Sequence, residues 1–230
     1  MRHVLRRIVG GRYGAGRTGR NLALALALVA APAAAQEAVV TAFGDSLIQG
    51  YGLPPDEGVT AQLQEWLDAA GADVAVVNAG VSGDTTAGGL ARIDWTLADP
   101  PDAILVTLGG NDMLRGLDPQ EARANLTGIL DAARESGAAI LLAGVEAPGN
   151  YGADYAADFD AIWPDLAEDY DAALLPDWFA PLRAEGMEAG MARYMQADGI
   201  HPNAEGVALI VEEIGPMLLK LLEEESGAGD

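Results

Sequence analysis

Five apolar runs separated by amphipathic stretches constrain the fold more tightly than any other feature of this chain. They read "AVVTAF" at 38–43, "DVAVVNA" at 73–79, "AILVTLG" at 103–109, "AAILLAGV" at 138–145 and "ALLPDW" at 173–178. Each is nearly continuous in apolar residues, where a strand with one wet face would alternate. Continuous runs are what a parallel sheet covered on both faces requires. The stretches between them, about 59–70, 85–98, 119–136 and 153–170, carry helical periodicity, and a last one spans 203–225. In that last segment Val207, Leu209, Ile210, Ile214, Met217, Leu218, Leu221 and Leu222 form an i, i+3, i+4 stripe. Asn203 stands just ahead of it, a side chain suited to cap a helix N-terminus. Five strand-helix units in succession predict right-handed crossovers and a doubly wound, three-layer α/β/α sandwich around a five-stranded parallel sheet. No internal repeat and no linker rich in Pro, Gly or Ser divides the pattern, so one domain is expected over residues 36–230. A chain of that length buries a full core without disulfides or metals.

Residues 1–35 do not share the pattern. Arg2, Arg6, Arg7, Arg12, Arg17 and Arg20 precede the apolar run "LALALALVAAPAAA", which ends in Ala33-Ala34-Ala35 before Gln36. That layout reads as a signal peptide with a small-residue cleavage site, so a periplasmic or secreted protein is expected. Ordinary secretion is the favoured route; the long arginine-rich start leaves a twin-arginine route as the alternative. The apolar run is short for a bilayer, and no later segment offers roughly 20 uninterrupted apolar residues, so no membrane span is expected. Cysteine is absent, which excludes disulfides and cysteine nucleophiles even in an oxidising compartment. Of 13 Lys and Arg residues six lie in the leader, leaving seven against 35 Asp and Glu and a formal charge of −28 for the remainder. Such a surface repels nucleic acid and anionic membranes, and a soluble monomer with a small-molecule substrate is expected.

Ligands of open parallel sheets sit in the crevice beyond the carboxyl ends of the strands. Polar and glycine-rich clusters fall just there: "GDS" at 44–46 after the first strand, "GVSGDTT" at 80–86 after the second and "GGND" at 109–112 after the third. Apart from His3 in the leader, His201 is the only histidine; it stands in "ADGIHPN" with Asp198 three residues upstream. A serine hydroxyl is a weak nucleophile that needs an adjacent base, itself oriented by a third group, and Ser46, His201 and Asp198 supply one of each. Taken singly each has a plainer reading: Ser46 as a turn or cap serine, His201 as a surface or core histidine, Asp198 as the turn partner of Gly199. Asp198 with His201 could also hold a metal, but no second His or Cys completes a transition-metal set. Acyl transfer further needs donors for an oxyanion. The candidates are the backbone N–H of Ser46, an N–H in the loop at 80–86, where Gly83 keeps the approach clear, and the Asn111 amide.

These blocks together resemble those of the SGNH (GDSL) hydrolases: Gly44-Asp45-Ser46-Leu47, Gly83 in "SGDTT", Asn111 in "GGND" and Asp198-Gly-Ile-His201. "NAGVSGDTTAGGLARI", "LGGNDMLRGL", "GNYGADY" and "DGIHPNAEG" are closest to its bacterial arylesterase, acyl-thioesterase I and lysophospholipase branch. The resemblance implies a flavodoxin-like three-layer fold, Ser46 as nucleophile, His201 as base and then acid, and Asp198 as its orienter. It also implies Ser46, Gly83 and Asn111 as the oxyanion hole, with no metal or cofactor. The Gly-x-Ser-x-Gly elbow of α/β-hydrolases is absent, since Ser46 is followed by Leu-Ile-Gln-Gly. The loop at 147–155, with Tyr151, is one candidate pocket wall. The stretch 179–195, with Phe179, Leu182, Met187, Met191, Tyr194 and Met195, is either a second wall, suited to varied acyl shapes by its methionines, or a helix packed on the core. The expected activity is hydrolysis of acyl or aryl esters, acyl thioesters and lysophospholipids through an acyl-enzyme. A carbohydrate O-acetyl esterase is the alternative. A non-catalytic flavodoxin-like binder is a third reading, weakened by the lack of a Gly-x-Gly-x-x-Gly loop after the first strand.

Overall fold

The computed structural model describes residues 37–184 and 186–228, so the leader expected over 1–35 lies outside the described residues. The strands are β1 Ala38–Gly44, β2 Val74–Gly80, β3 Ala103–Thr107, β4 Ala139–Ala143 and β5 Ala173–Leu175. All pair in parallel, in the order β2-β1-β3-β4-β5. This is the flavodoxin-like order, in which chain direction across the sheet reverses between β1 and β3 and opens a crevice there. Register places Gly44 at the end of β1 opposite Gly80 of β2 and Thr107 of β3, so the three strands finish level.

The helices are α1 Ser46–Gln49, α2 Val59–Ala69, α3 Thr86–Leu90, α4 Ile93–Thr96, α5 Gly110–Leu114, α6 Pro119–Ser136, α7 Ala153–Asp160, α8 Ile162–Tyr170, α9 Met187–Tyr194 and α10 Ala204–Ala228. Every residue of β3 is buried, and the core runs from Val40, Ala42 and Phe43 through Ile104 and Val106 to Leu141 and Leu142. On the covering helices the buried faces repeat at helical spacing: Ala122, Leu126, Ile129 and Ala133 on α6, and Val207, Ile210, Ile214 and Leu218 on α10. Asn203 caps α10 as its sequence position suggests, its Oδ1 accepting from the Gly206 N–H at 3.0 Å. Asp118, with Pro119 in the first turn, caps α6 in the same way.

Three elements differ from the sequence pattern. The helix expected over 85–98 is two short ones, broken at Arg92 (φ −123°, ψ −2°). Gly88 and Gly89 weaken the first, and the Arg92 side chain turns back to the strand ends. The helix expected over 153–170 breaks at Ala161, because Pro164 has no N–H for the Asp160 carbonyl and its ring crowds it. β5 stops at Leu175: past Pro176 the pairing slips, and Gly144 O is reached by the Trp178 N–H at 2.8 Å, one residue later than a regular ladder would place the donor. β2 is also wetter than its apolar run implies, since it is an edge strand and Val77 is exposed.

Candidate active site

Where β1 ends, Asp45 caps α1 by accepting the Leu47 N–H at 3.0 Å, which leaves Ser46 as the first residue of the helix, buried beneath the rim of the sheet. So close a turn is possible because Gly80 has no side chain: a Cβ there would stand 2.3 Å from the Gln49 N and 2.9 Å from the Asp45 O.

The histidine arrives from the opposite direction, on the loop between α9 and α10. Asp198 Oδ1 accepts the N–H groups of Ile200 (2.9 Å) and His201 (3.1 Å), and Gly199 takes φ +66° to complete the turn. Oδ2 of the same carboxylate lies 2.7 Å from His201 Nδ1, and His201 Nε2 lies 2.8 Å from Ser46 Oγ. Ser46, His201 and Asp198 thus form one continuous chain of hydrogen bonds. The bond to His201, followed by the two backbone donors, holds the Asp198 carboxyl down at about 2, well below its ordinary 3.8. It therefore stays ionised wherever the imidazole is neutral, and fixes the tautomer with Nδ1 protonated and Nε2 free to accept.

Asn111 enters from α5, after β3, and Gly83 from the loop after β2, so both reach the rim beside Ser46. One N–H of the Asn111 carboxamide is donated to Asp45 Oδ2 at 3.0 Å, leaving the other available. Gly83 has φ +84°, and its carbonyl accepts from Arg115 at 2.8 Å, which holds the Gly83–Asp84 peptide in place. A Cβ at Gly83 would meet only Arg115, at 3.9 Å, so its backbone conformation requires glycine and crowding by the protein does not. Among the described residues neither the Ser46 nor the Gly83 N–H has a backbone acceptor.

Several residues that hold this arrangement were not singled out by sequence. Arg92 donates to Asp84 (2.6 Å), Ala79 O (2.9 Å) and Gly44 O (2.8 Å), tying the ends of β1 and β2 together. Buried Asp112 receives the Thr86 N–H (2.8 Å) and hydroxyl (2.6 Å), joining the loops after β2 and β3. Gln196 donates to Tyr51 O (2.8 Å) and Pro202 O (2.9 Å), and the Tyr51 ring lies 4.7 Å from that of His201. The one available signal was scarcity: beyond the leader there are seven Lys and Arg residues, so an arginine soon after Gly88 and Gly89 is conspicuous. Asp45 is the most perturbed acid of the group. Burial pushes its pKa up from 3.8 to about 6 against the opposing bonds from Leu47 and Asn111.

Ser46 opens into a cleft of about 820 Å³ that crosses the carboxyl ends of all five strands. Of the expected wall residues Phe179, Met187, Met191 and Met195 line it, joined by Met113 and Leu114. The stretch 179–195 is both things that its sequence allowed, because Leu182 and Tyr194 face the core instead. Tyr151 is not among the lining side chains; its hydroxyl donates to Leu114 O at 3.2 Å, and its ring covers Gly116. No helix among the described residues is long and apolar enough to cross a membrane.

Fold and site together define a serine hydrolase of the α/β/α class: a hydroxyl within reach of an imidazole, at the point where the strand order reverses. A sequence profile of the GDSL-like Lipase/Acylhydrolase family matches residues 42–209, and the chain belongs to that family. It is 41% identical to Esterase TesA of Pseudomonas aeruginosa, over 86% of this chain and 96% of that protein. It is 36% identical to Thioesterase 1/protease 1/lysophospholipase L1 of Escherichia coli K12, over 88% and 93%. The crystal structure of AlinE4, an SGNH-hydrolase family esterase, superposes with a TM-score of 0.66 at 44% identity, covering 82% of this chain and 98% of that one. Membership of a hydrolase family removes the reading as a non-catalytic binder, and nothing in these likenesses supports the carbohydrate O-acetyl esterase.

Proposed function

We propose that Ser46 is the nucleophile of an acyl-ester hydrolase whose substrates are acyl and aryl esters, acyl thioesters and lysophospholipids. The observation that carries this is the unbroken line Asp198–His201–Ser46 (2.7 and 2.8 Å) opening into a mainly apolar cleft. His201 Nε2 takes the Ser46 proton as Oγ attacks the acyl carbon, and the ionised Asp198 stabilises the imidazolium. The Ser46 N–H, the Gly83 N–H and the second N–H of Asn111 receive the negative oxygen; each such donor is worth roughly 100- to 1000-fold in rate. His201 then protonates the leaving alcohol or thiol, and an incoming water, deprotonated by the same nitrogen, releases the acid. Methionines along the wall suit chains of differing shape, whereas a sugar would want fixed polar partners. We also infer an exported enzyme, led out by residues 1–35 and working as the single domain 36–230.

Ser46→Ala should fold with wild-type stability yet lose hydrolysis of p-nitrophenyl esters and covalent labelling by a fluorophosphonate. Undiminished labelling of that variant would sink the assignment.

A further inference from the structure

The cleft is not lined by apolar residues alone. Glu146, just after β4, and Arg183, in the 3-10 turn Ala180–Arg183 after β5, both line it. They meet at 3.1 Å, and Arg183 also pairs with the buried Asp177. Ser46 follows β1, which is three strand spacings from β5, roughly 14 Å along the rim. The segments that follow β3, β4 and β5 add Met113, Leu114, Val145, Ala147 and Phe179 to the lining.

We propose that the Glu146–Arg183–Asp177 cluster is the specificity-determining end of the acyl cleft, setting the longest acyl chain that the enzyme accepts. This rests on the reading of Ser46 as the acylated residue. Each methylene that fits along the apolar wall gains its transfer free energy, about fourfold in kcat/KM. A chain long enough to reach Arg183 gains nothing more, because it must strip water from an ion pair without replacing its hydrogen bonds. Arg183 is not an anchor for an anionic tail, because two carboxylates already engage its guanidinium. The phenylalanine is held by the same cluster: Asp177 Oδ1 accepts the Phe179 N–H at 3.1 Å, so cap and wall move together.

The test is a series of p-nitrophenyl esters from acetyl to palmitoyl. In the wild type kcat/KM should climb about fourfold per methylene and then break. Asp177→Asn combined with Arg183→Met removes the ion pair without stranding the buried carboxylate. It should leave acetyl-ester hydrolysis within about twofold of wild type and move the break to longer chains. Should that double variant fail to fold, Asp177→Asn combined with Arg183→Gln decides in its place, since it keeps a hydrogen bond between the two positions while removing both charges; the break should again lengthen. A break that stays put in a folded variant with normal acetyl-ester activity overturns the proposal and spares Ser46. A wild type inactive on the whole series, and unlabelled by fluorophosphonate, overturns both.

Discussion

The substitution Asp45→Asn separates two consequences of one buried carboxylate. The Asp45 side chain is almost wholly enclosed, and burial raises its pKa from 3.8 to about 6. The folded state thus holds this proton more tightly than the unfolded chain does. Stability from that source is fully present below pH 3.8 and is lost as pH rises through about 6. The loss amounts to about 3 kcal/mol at most. A carboxamide cannot ionise, so the variant should escape that loss and be more stable than wild type at pH 8, by up to about 3 kcal/mol. The same change reverses a hydrogen bond. Asp45 receives an N–H of Asn111; the substituted side chain still serves the Leu47 N–H through its oxygen but turns its NH₂ toward the NH₂ of Asn111. Two donors cannot face each other, so the Asn111 carboxamide must flip, and its remaining N–H leaves the position proposed for the oxyanion. The expected result is a fall in kcat of roughly 100- to 1000-fold with a much smaller change in KM. Urea denaturation of both proteins at about pH 4.5 and about pH 8 gives the stability difference, and p-nitrophenyl ester kinetics gives the rate. Parallel stability profiles for the two proteins, or full kcat in the variant, would refute this reasoning.

Gly83→Ala should cost about 1–2 kcal/mol, because φ +84° is a left-handed conformation that a Cβ resists and the space around it is open. If the chain relieves that strain by turning the peptide, kcat falls at least about tenfold as a proposed donor moves; thermal melting and steady-state kinetics report the two effects. Arg92→Lys should lower stability by about 2 kcal/mol in urea, since one ammonium cannot span Asp84, Ala79 O and Gly44 O together. An unchanged midpoint would mean that the strand ends hold each other without it.

The sheet and the reacting groups were legible in the sequence for different reasons. β1, β3 and β4 are buried on both faces, so their runs carried almost nothing but apolar residues, and their starts fall within one residue of expectation. β5 was overextended because its pairing slips past Pro176, and the helix expected over 153–170 was read as continuous because Pro164 interrupts hydrogen bonding without interrupting hydrophobicity. Ser46, His201 and Asp198 could be read because rarity and spacing marked them: one histidine beyond the leader, and an aspartate three residues before it.

The sequence by itself determined the class of fold, the family and which side chains are chemically able to react, since those depend on periodicity and residue type, which are local. The tertiary structure alone decided what lies beside what. Asp45 becomes a tuned, buried partner of Asn111 only because β1 and β3 finish level. Arg92 reaches three acceptors from two strands and a loop, and Tyr151 bonds to Leu114 O beside the cleft that it was expected to line. Glu146 and Arg183 meet across 37 residues of sequence. Burial and hydrogen bonding between distant segments set these relations, and both are properties of packing that no short stretch of sequence encodes.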